Sequence, residues 1–133
     1  MGTVARIMTK DVKTVDPTTT VRIAAKSMKD ARLGSLFVKK GAGIVGIVTD
    51  TDLVRRALAS DQDLNVLTVE EIMTSPLCSI EETRTIGDAH DMMGDLGVRH
   101  LGVTKAGEVV GVISVRDLLS YYQRISEPKI AQD

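Results

Sequence analysis

The sequence predicts an α/β fold of two pseudo-symmetric units, each running strand, helix, strand, strand, helix and packed through their sheets. Two observations carry this. Shifting the chain on itself by 65 residues superposes Val4–Leu53 on Val69–Leu118 without a gap, with 16 identities in 50 positions. Within each copy, apolar residues at helical spacing are followed by two short aliphatic runs on either side of a glycine-containing turn. The identities open with Val4/Val69, Ile7/Ile72, Met8/Met73 and Thr9/Thr74, and close with Gly46/Gly111, Asp52/Asp117 and Leu53/Leu118.

Each element follows from its residues. Before the first helix of each copy, Lys13–Val15 and Cys78–Ile80 are expected to be short strands. Thr20 and Thr85 suit helix N-caps, because their hydroxyls can accept a backbone amide that the first turn leaves unpaired. Behind them, Val21, Ala24, Ala25 and Met28 recur at helical spacing, as do Ile86, Ala89, Met92, Met93 and Leu96. The paired runs Ser35–Lys39 with Ile44–Thr49, and Arg99–Thr104 with Val109–Ser114, predict two hairpins. A second helix follows Thr49 and Ser114. The division is a first unit at 1–60, a polar linker at 61–68, a second unit at 69–124 and a frayed tail at 125–133. A unit of about 60 residues buries too little apolar surface to be robust alone, so the two copies are expected to stabilise each other. Related clefts between the halves are the place to expect a ligand.

Composition narrows the function. One Phe, two Tyr and no Trp leave an aliphatic core and argue against a reader that stacks nucleic-acid bases on aromatic rings. A formal charge of −1 argues against a general polyanion binder, so no nucleic-acid polymer is expected. Cys78 stands alone, which excludes an internal disulfide and suits a reducing, cytoplasmic setting. No apolar run is long enough to span a membrane. The N-terminus lacks signal-peptide regions, and Arg6 stands where a myristoylation pattern needs Ser or Thr.

The most informative segment occurs twice, as Gly46-Ile47-Val48-Thr49-Asp50-Thr51-Asp52 and Gly111-Val112-Ile113-Ser114-Val115-Arg116-Asp117. An apolar strand ends at a hydroxyl residue, and an Asp follows three positions later as a helix begins. The unpaired amides of a helix start attract phosphate, and a hydroxyl can add a hydrogen bond. An ionised Asp accepts from the two hydroxyls of a ribose. The pattern therefore describes a nucleoside-phosphate site. It equally describes a capping box that needs no ligand, and one side chain can serve both roles.

Together the duplication, the openings Ile7-Met8-Thr9 and Ile72-Met73-Thr74, the segment Thr14-Val15-Asp16-Pro17 and the two Gly-led segments resemble a tandem pair of CBS domains, a Bateman module. The resemblance spans residues 4–122. It implies two CBS units, association into a homodimer, and clefts that take AMP, ADP, ATP, NAD or S-adenosylmethionine.

Carried over residue by residue, the resemblance implies a primary site in the second half. Ser114 takes the phosphate-side hydroxyl, Asp117 the ribose, and Arg116 adds a cation. Arg99 and His100 stand where the family places basic phosphate contacts. Cys78, Ser79 and Ile80 hold the adenine edge, and Leu101 begins a segment that reads Leu-Gly-Val where the family has Leu-Pro-Val. A secondary site in the first half comprises Thr14, Val15, Ser35, Thr49 and Asp52. There Asp50 adds a carboxylate and Gly34-Ser35 replaces the basic pair, so weaker anion binding is expected.

No Walker loop, His-Glu-x-x-His pair, dinucleotide fingerprint or nucleophilic triad is present, so neither an enzyme, a catalytic cofactor nor a metal site is expected. His90 beside Asp88 and Asp91 fits a solvated surface. Tyr121 and Tyr122 fit either a subunit contact or burial in the monomer. The leading expectation is a regulatory module that signals to an effector protein by a change in dimer geometry. The alternative is a ligand-free structural or dimerisation module.

Overall fold

Thr14 and Val15 make a short first strand, β1 (Thr14–Val15), in the computed structural model, which describes residues 2–131 and side chains as far as residue 126. Thr20 then starts α1 (Val21–Ala31), its hydroxyl accepting the Ile23 amide at 3.3 Å. The helix buries Val21, Ala24 and Met28, which share one face. β2 (Ser35–Lys40) and β3 (Gly43–Thr49) form the expected antiparallel hairpin, and β1 pairs with β2 in parallel. The hairpin turns at Gly41, whose φ of +63° favours glycine. A short helix, α2 (Asp50–Asp52), runs into a π-helical stretch, Leu53–Leu58, and α3 (Val69–Ile72) follows. Leu36, Val38, Val48, Val69 and Ile72 join the buried face of α1 in one aliphatic core.

The second copy repeats the plan. β4 (Ser79–Glu81) pairs in parallel with β5 (His100–Lys105), which pairs antiparallel with β6 (Glu108–Ser114). Between β4 and β5 lies α4 (Ile86–Leu96), capped by Thr85, whose hydroxyl accepts the Asp88 amide at 3.0 Å. The first-copy π stretch has no counterpart here: α5 (Val115–Ala131) runs on as α-helix. Val4, Ile86, Leu101, Val103 and Ile113 form the second core.

Each sequence repeat and each compact unit are different divisions of the chain. One unit is Val12–Leu77; the other joins Met1–Asp11 to Cys78–Asp133. The reason is local pairing. Thr9 exchanges backbone hydrogen bonds with Val112 at 2.8 and 3.0 Å, so the opening segment of the first repeat adds to the sheet of the second. Thr74 does the same with Ile47, at 2.8 and 3.1 Å. The 61–68 linker is packed: Leu67 is buried in the core, Leu64 packs against it, and their carbonyls accept the amides of Val21 and Arg22. The tail expected from 125 begins inside α5, which extends to Ala131; Gln132 and Asp133 lie outside the described residues. Among the described residues no helix is long and apolar enough to cross a membrane.

Candidate ligand site at the strand ends

Both Gly-led segments end as the pattern requires, with a strand terminating at a hydroxyl residue and a helix starting beyond it. A close approach explains the glycines. A Cβ at Gly111 would lie 2.7 Å from the Met8 sulfur and 2.8 Å from the Thr9 carbonyl oxygen. At Gly46 the same distances apply to Met73 and Thr74. The Ile-Met-Thr and Gly-led motifs are therefore two sides of one contact, and it holds the strand end in place.

The capping interaction is present in both copies. The Asp52 carboxylate accepts the Thr49 amide at 3.0 Å and its hydroxyl at 3.2 Å, while the Thr49 oxygen accepts the Asp52 amide at 3.2 Å. The Asp117 carboxylate accepts the Ser114 amide at 2.8 Å and hydroxyl at 3.1 Å, with the return bond at 3.3 Å. Capping and ligand binding thus compete for the same atoms, and the second carboxylate oxygen decides what is left over.

That oxygen differs between the copies. Asp52 is only 6% exposed. The Thr74 hydroxyl reaches its Oδ1 and Oδ2 at 3.4 and 3.5 Å, and Arg56 Nε stands 3.7 Å from Oδ1. Arg56 is itself fixed by the carbonyls of Ile72 and Met73, each 3.2 Å from Nη1. Its counterpart in the repeat is Tyr121, which carries no cation. Among the described residues, no hydrogen bond or ion pair engages Asp117 Oδ1. Asp117 is half-buried on the wall of a cleft of about 510 Å³ that Arg6, Ile7, Ser120, Gln123 and Arg124 complete.

The remaining predicted residues of the primary site fall in three places. His100 and Ser114 are register partners at one end of the second sheet. Arg99 adjoins them through its carbonyl, which accepts the Val115 amide at 3.0 Å, and the Cys78 carbonyl accepts the Gly102 amide at 2.9 Å. Arg116 is exposed at the start of α5. Ser79 and Ile80 line a separate groove along α4. Two of the expected side chains are core: Leu101 has no exposure and Ile80 is buried, because inward positions of β4 and β5 pack on Ile86 and Ile113. Only their backbones remain for a ligand. In the first copy Ser35 and Thr49 are register partners, but Thr14 and Val15 line a different cleft, with Ile23 and Lys39.

Sequence reasoning missed Arg6 and Arg124. They lie 118 positions apart, and no local motif marks either. The repeat offers one signal, since their counterparts are Glu71 and Ala59: two cations beside Asp117 have no equivalent beside Asp52. Elsewhere, His90 is exposed, 3.2 Å from Asp91 and edge-on to Tyr122 with ring centres 6.3 Å apart. Tyr121 packs against the core, whereas Tyr122 is exposed.

Two repeats of this topology, each ending its last strand in a hydroxyl–aspartate cap, define a duplicated α/β module. The CBS domain family matches at residues 4–59 and 69–124, and the chain belongs to that family. It is 39% identical to an uncharacterised 17.7 kDa protein of Acidianus ambivalens over 117 residues, 86% of this chain and 70% of the relative. The solved structure of a candidate signal-transduction protein with CBS domains from Burkholderia ambifaria superposes with a TM-score of 0.87 at 31% identity. That likeness covers 91% of this chain and 93% of the other. The same fold is found, with a TM-score of 0.84 at 23% identity over 94% and 98% of the chains, in a CBS domain pair solved with 5′-methylthioadenosine and S-adenosylmethionine.

Proposed function

We propose that this chain is a regulatory, non-catalytic module that binds an adenosine derivative at the Ser114–Asp117 end of the second repeat. It works in a reducing cytoplasm as a homodimer whose geometry reports occupancy to an effector protein. The observation that carries this reading is Asp117 Oδ1, an open carboxylate oxygen on the wall of a cleft. A ribose hydroxyl can donate to it without breaking the cap, which uses Oδ2. The adenosyl compounds held by a CBS pair of the same fold support the ligand class. Ser114, Arg116, Arg99 and His100 serve the phosphate, and the backbone of Cys78–Ile80 and Leu101 serves the base. Arg6 and Arg124 add two guanidinium groups, which favour a phosphate-bearing ligand such as AMP, ADP, ATP or NAD over the sulfonium cation of S-adenosylmethionine.

The first repeat fits the structural alternative better, because Thr49, Thr74 and Arg56 already surround the Asp52 carboxylate. Thr14, Val15, Ser35, Thr49 and Asp52 therefore form a weak or vacant second site. Isothermal titration with AMP, ATP, NAD and S-adenosylmethionine, paired with thermal melts, tests the proposal. A ligand that binds only the folded chain must raise Tm. No heat and no shift with any adenosine compound would leave the structural module as the correct reading.

A further inference from the structure

The helix beyond each hydroxyl–aspartate cap takes a different course in the two copies. In the second, Tyr121 packs against the core. In the first, the equivalent residue is Arg56, half-exposed and turned toward Asp52 and the carbonyls of Ile72 and Met73. The π-helical stretch Leu53–Leu58 carries it, and the Ala59 amide closes on the Val54 carbonyl, five residues back, at 3.1 Å. Such turns are rare and recur at functional sites.

Packing explains the difference. Gly2 and Leu67 hold equivalent places: the Gly2 carbonyl accepts the Ile86 amide at 3.2 Å, and the Leu67 carbonyl accepts the Val21 amide at 2.8 Å. Gly2 leaves room for a ring, since a Cβ there would stand 2.9 Å from Ile86 and 3.9 Å from Tyr121. Leu67 instead fills the first core with a whole side chain. A long residue at 56 is thereby kept out of that core. Its guanidinium goes to Asp52, the one buried charged residue among the described residues.

That contact is loose. Arg56 Nε stands 3.7 Å from Oδ1, and the Thr74 hydroxyl is 3.4 and 3.5 Å from the two carboxylate oxygens, all longer than the cap bond of 3.0 Å from the Thr49 amide. Ribose hydroxyls donating at ordinary hydrogen-bond length bind a carboxylate more closely than this.

We infer that Arg56 is a latch on the first copy. It takes the Asp52 Oδ1 that a ribose would use, and the first copy binds an adenosine only once the guanidinium has swung into solvent. This rests on the reading of the hydroxyl–aspartate ends as ribose sites, and it names the residue that makes the two copies unequal. One position decides both: arginine at 56 covers its carboxylate, and tyrosine at 121 leaves the other open.

Titration calorimetry with uncharged adenosine tests this, because adenosine brings no phosphate for Arg56 to hold. Wild type is expected to bind one adenosine per chain, and Arg56→Ala two. In an Asp117→Ala background, which cripples the second copy, adding Arg56→Ala should raise adenosine affinity at least ~tenfold. Adding Asp52→Asn, which turns one acceptor oxygen into a donor, should remove that gain. Arg56→Gln lacks the charge but keeps a side-chain donor, guards against loss of folding and should behave as Arg56→Ala does; circular dichroism checks the fold. A purely structural role for Arg56 would lower Tm without adding a site, and that result overturns the latch while leaving the second-copy site standing. One site in Arg56→Ala with none in wild type overturns the second-copy site and keeps the latch. Wild type and both Arg56 variants all failing to bind adenosine overturns the two together.

Discussion

The Met8 sulfur lies 2.7 Å from where a Cβ would stand at Gly111, although the two residues belong to different sequence repeats. Met73 and Gly46 repeat the relationship in the other unit. An added methyl would also meet the Thr9 carbonyl oxygen at 2.8 Å, and that backbone is held by the Val112 bridge. Gly111→Ala is expected to cost about 1–3 kcal/mol through overpacking, read by urea denaturation. Gly94→Ala is the control. No atom lies within 4 Å of its Cβ position, so alanine should stabilise α4 by up to ~1 kcal/mol.

Asp52 and Asp117 share a motif but should respond differently to alanine. Asp52→Ala removes the carboxylate half of a capping box, leaves the Thr49 amide and the Thr74 hydroxyl without that acceptor and takes the counter-charge from Arg56, at a cost of about 2–3 kcal/mol in stability. Asp117→Ala removes only the carboxylate half of its capping box, since the Ser114 hydroxyl still accepts the amide of residue 117, at a cost nearer ~1 kcal/mol, and abolishes the open acceptor. Titration calorimetry should therefore show adenosine-ligand affinity falling more for Asp117→Ala, while denaturation ranks the pair in reverse. Equal losses of binding would contradict the assignment of the second repeat as the better site.

The guanidinium groups in the Asp117 cleft set a charge preference. Arg6→Gln and Arg124→Gln should each weaken AMP by about tenfold, the worth of one charge-assisted contact. Binding of uncharged adenosine should change little. If adenosine and AMP lose affinity in parallel, neither arginine acts on phosphate.

Arg84 sets the acid titration of Asp88. Its guanidinium, 3.0 Å from the Asp88 carboxylate, and then the Thr85 amide hold that carboxyl below the ordinary value of 3.8. A depressed carboxyl favours the folded state above its unfolded value, and the benefit disappears as pH falls through the lower, folded one. Asp88 should stay ionised in acid below pH 3.8, as followed by carboxyl-carbon NMR. Arg84→Gln should move its midpoint upward. An unchanged midpoint would show that the Thr85 cap suffices.

Most of the secondary structure was legible because it rests on neighbours in sequence. Thr20 and Thr85 cap the helices they precede, and the hairpins turn at Gly41 and Gly107, both of positive φ. The π stretch at Leu53–Leu58 was not legible, since α5 grows from an equivalent pattern. Nor was the burial of Leu101, which the family pattern places near a ligand and the sheet packs into the core.

By itself the sequence determined the duplication, the element order and the hydroxyl–aspartate caps, because each is written in spacing within one repeat. Tertiary structure decided what those caps leave free. Arg56 and Thr74 occupy the second oxygen of Asp52, while Tyr121 in place of Arg56 leaves that of Asp117 open beside Arg6 and Arg124. It also decided that each Ile-Met-Thr segment completes the sheet of the other repeat. The physical reason is the same in both cases. A carboxylate's free valence and a glycine's bare face are settled by atoms distant in the chain, and only folding brings those atoms within hydrogen-bonding or van der Waals reach.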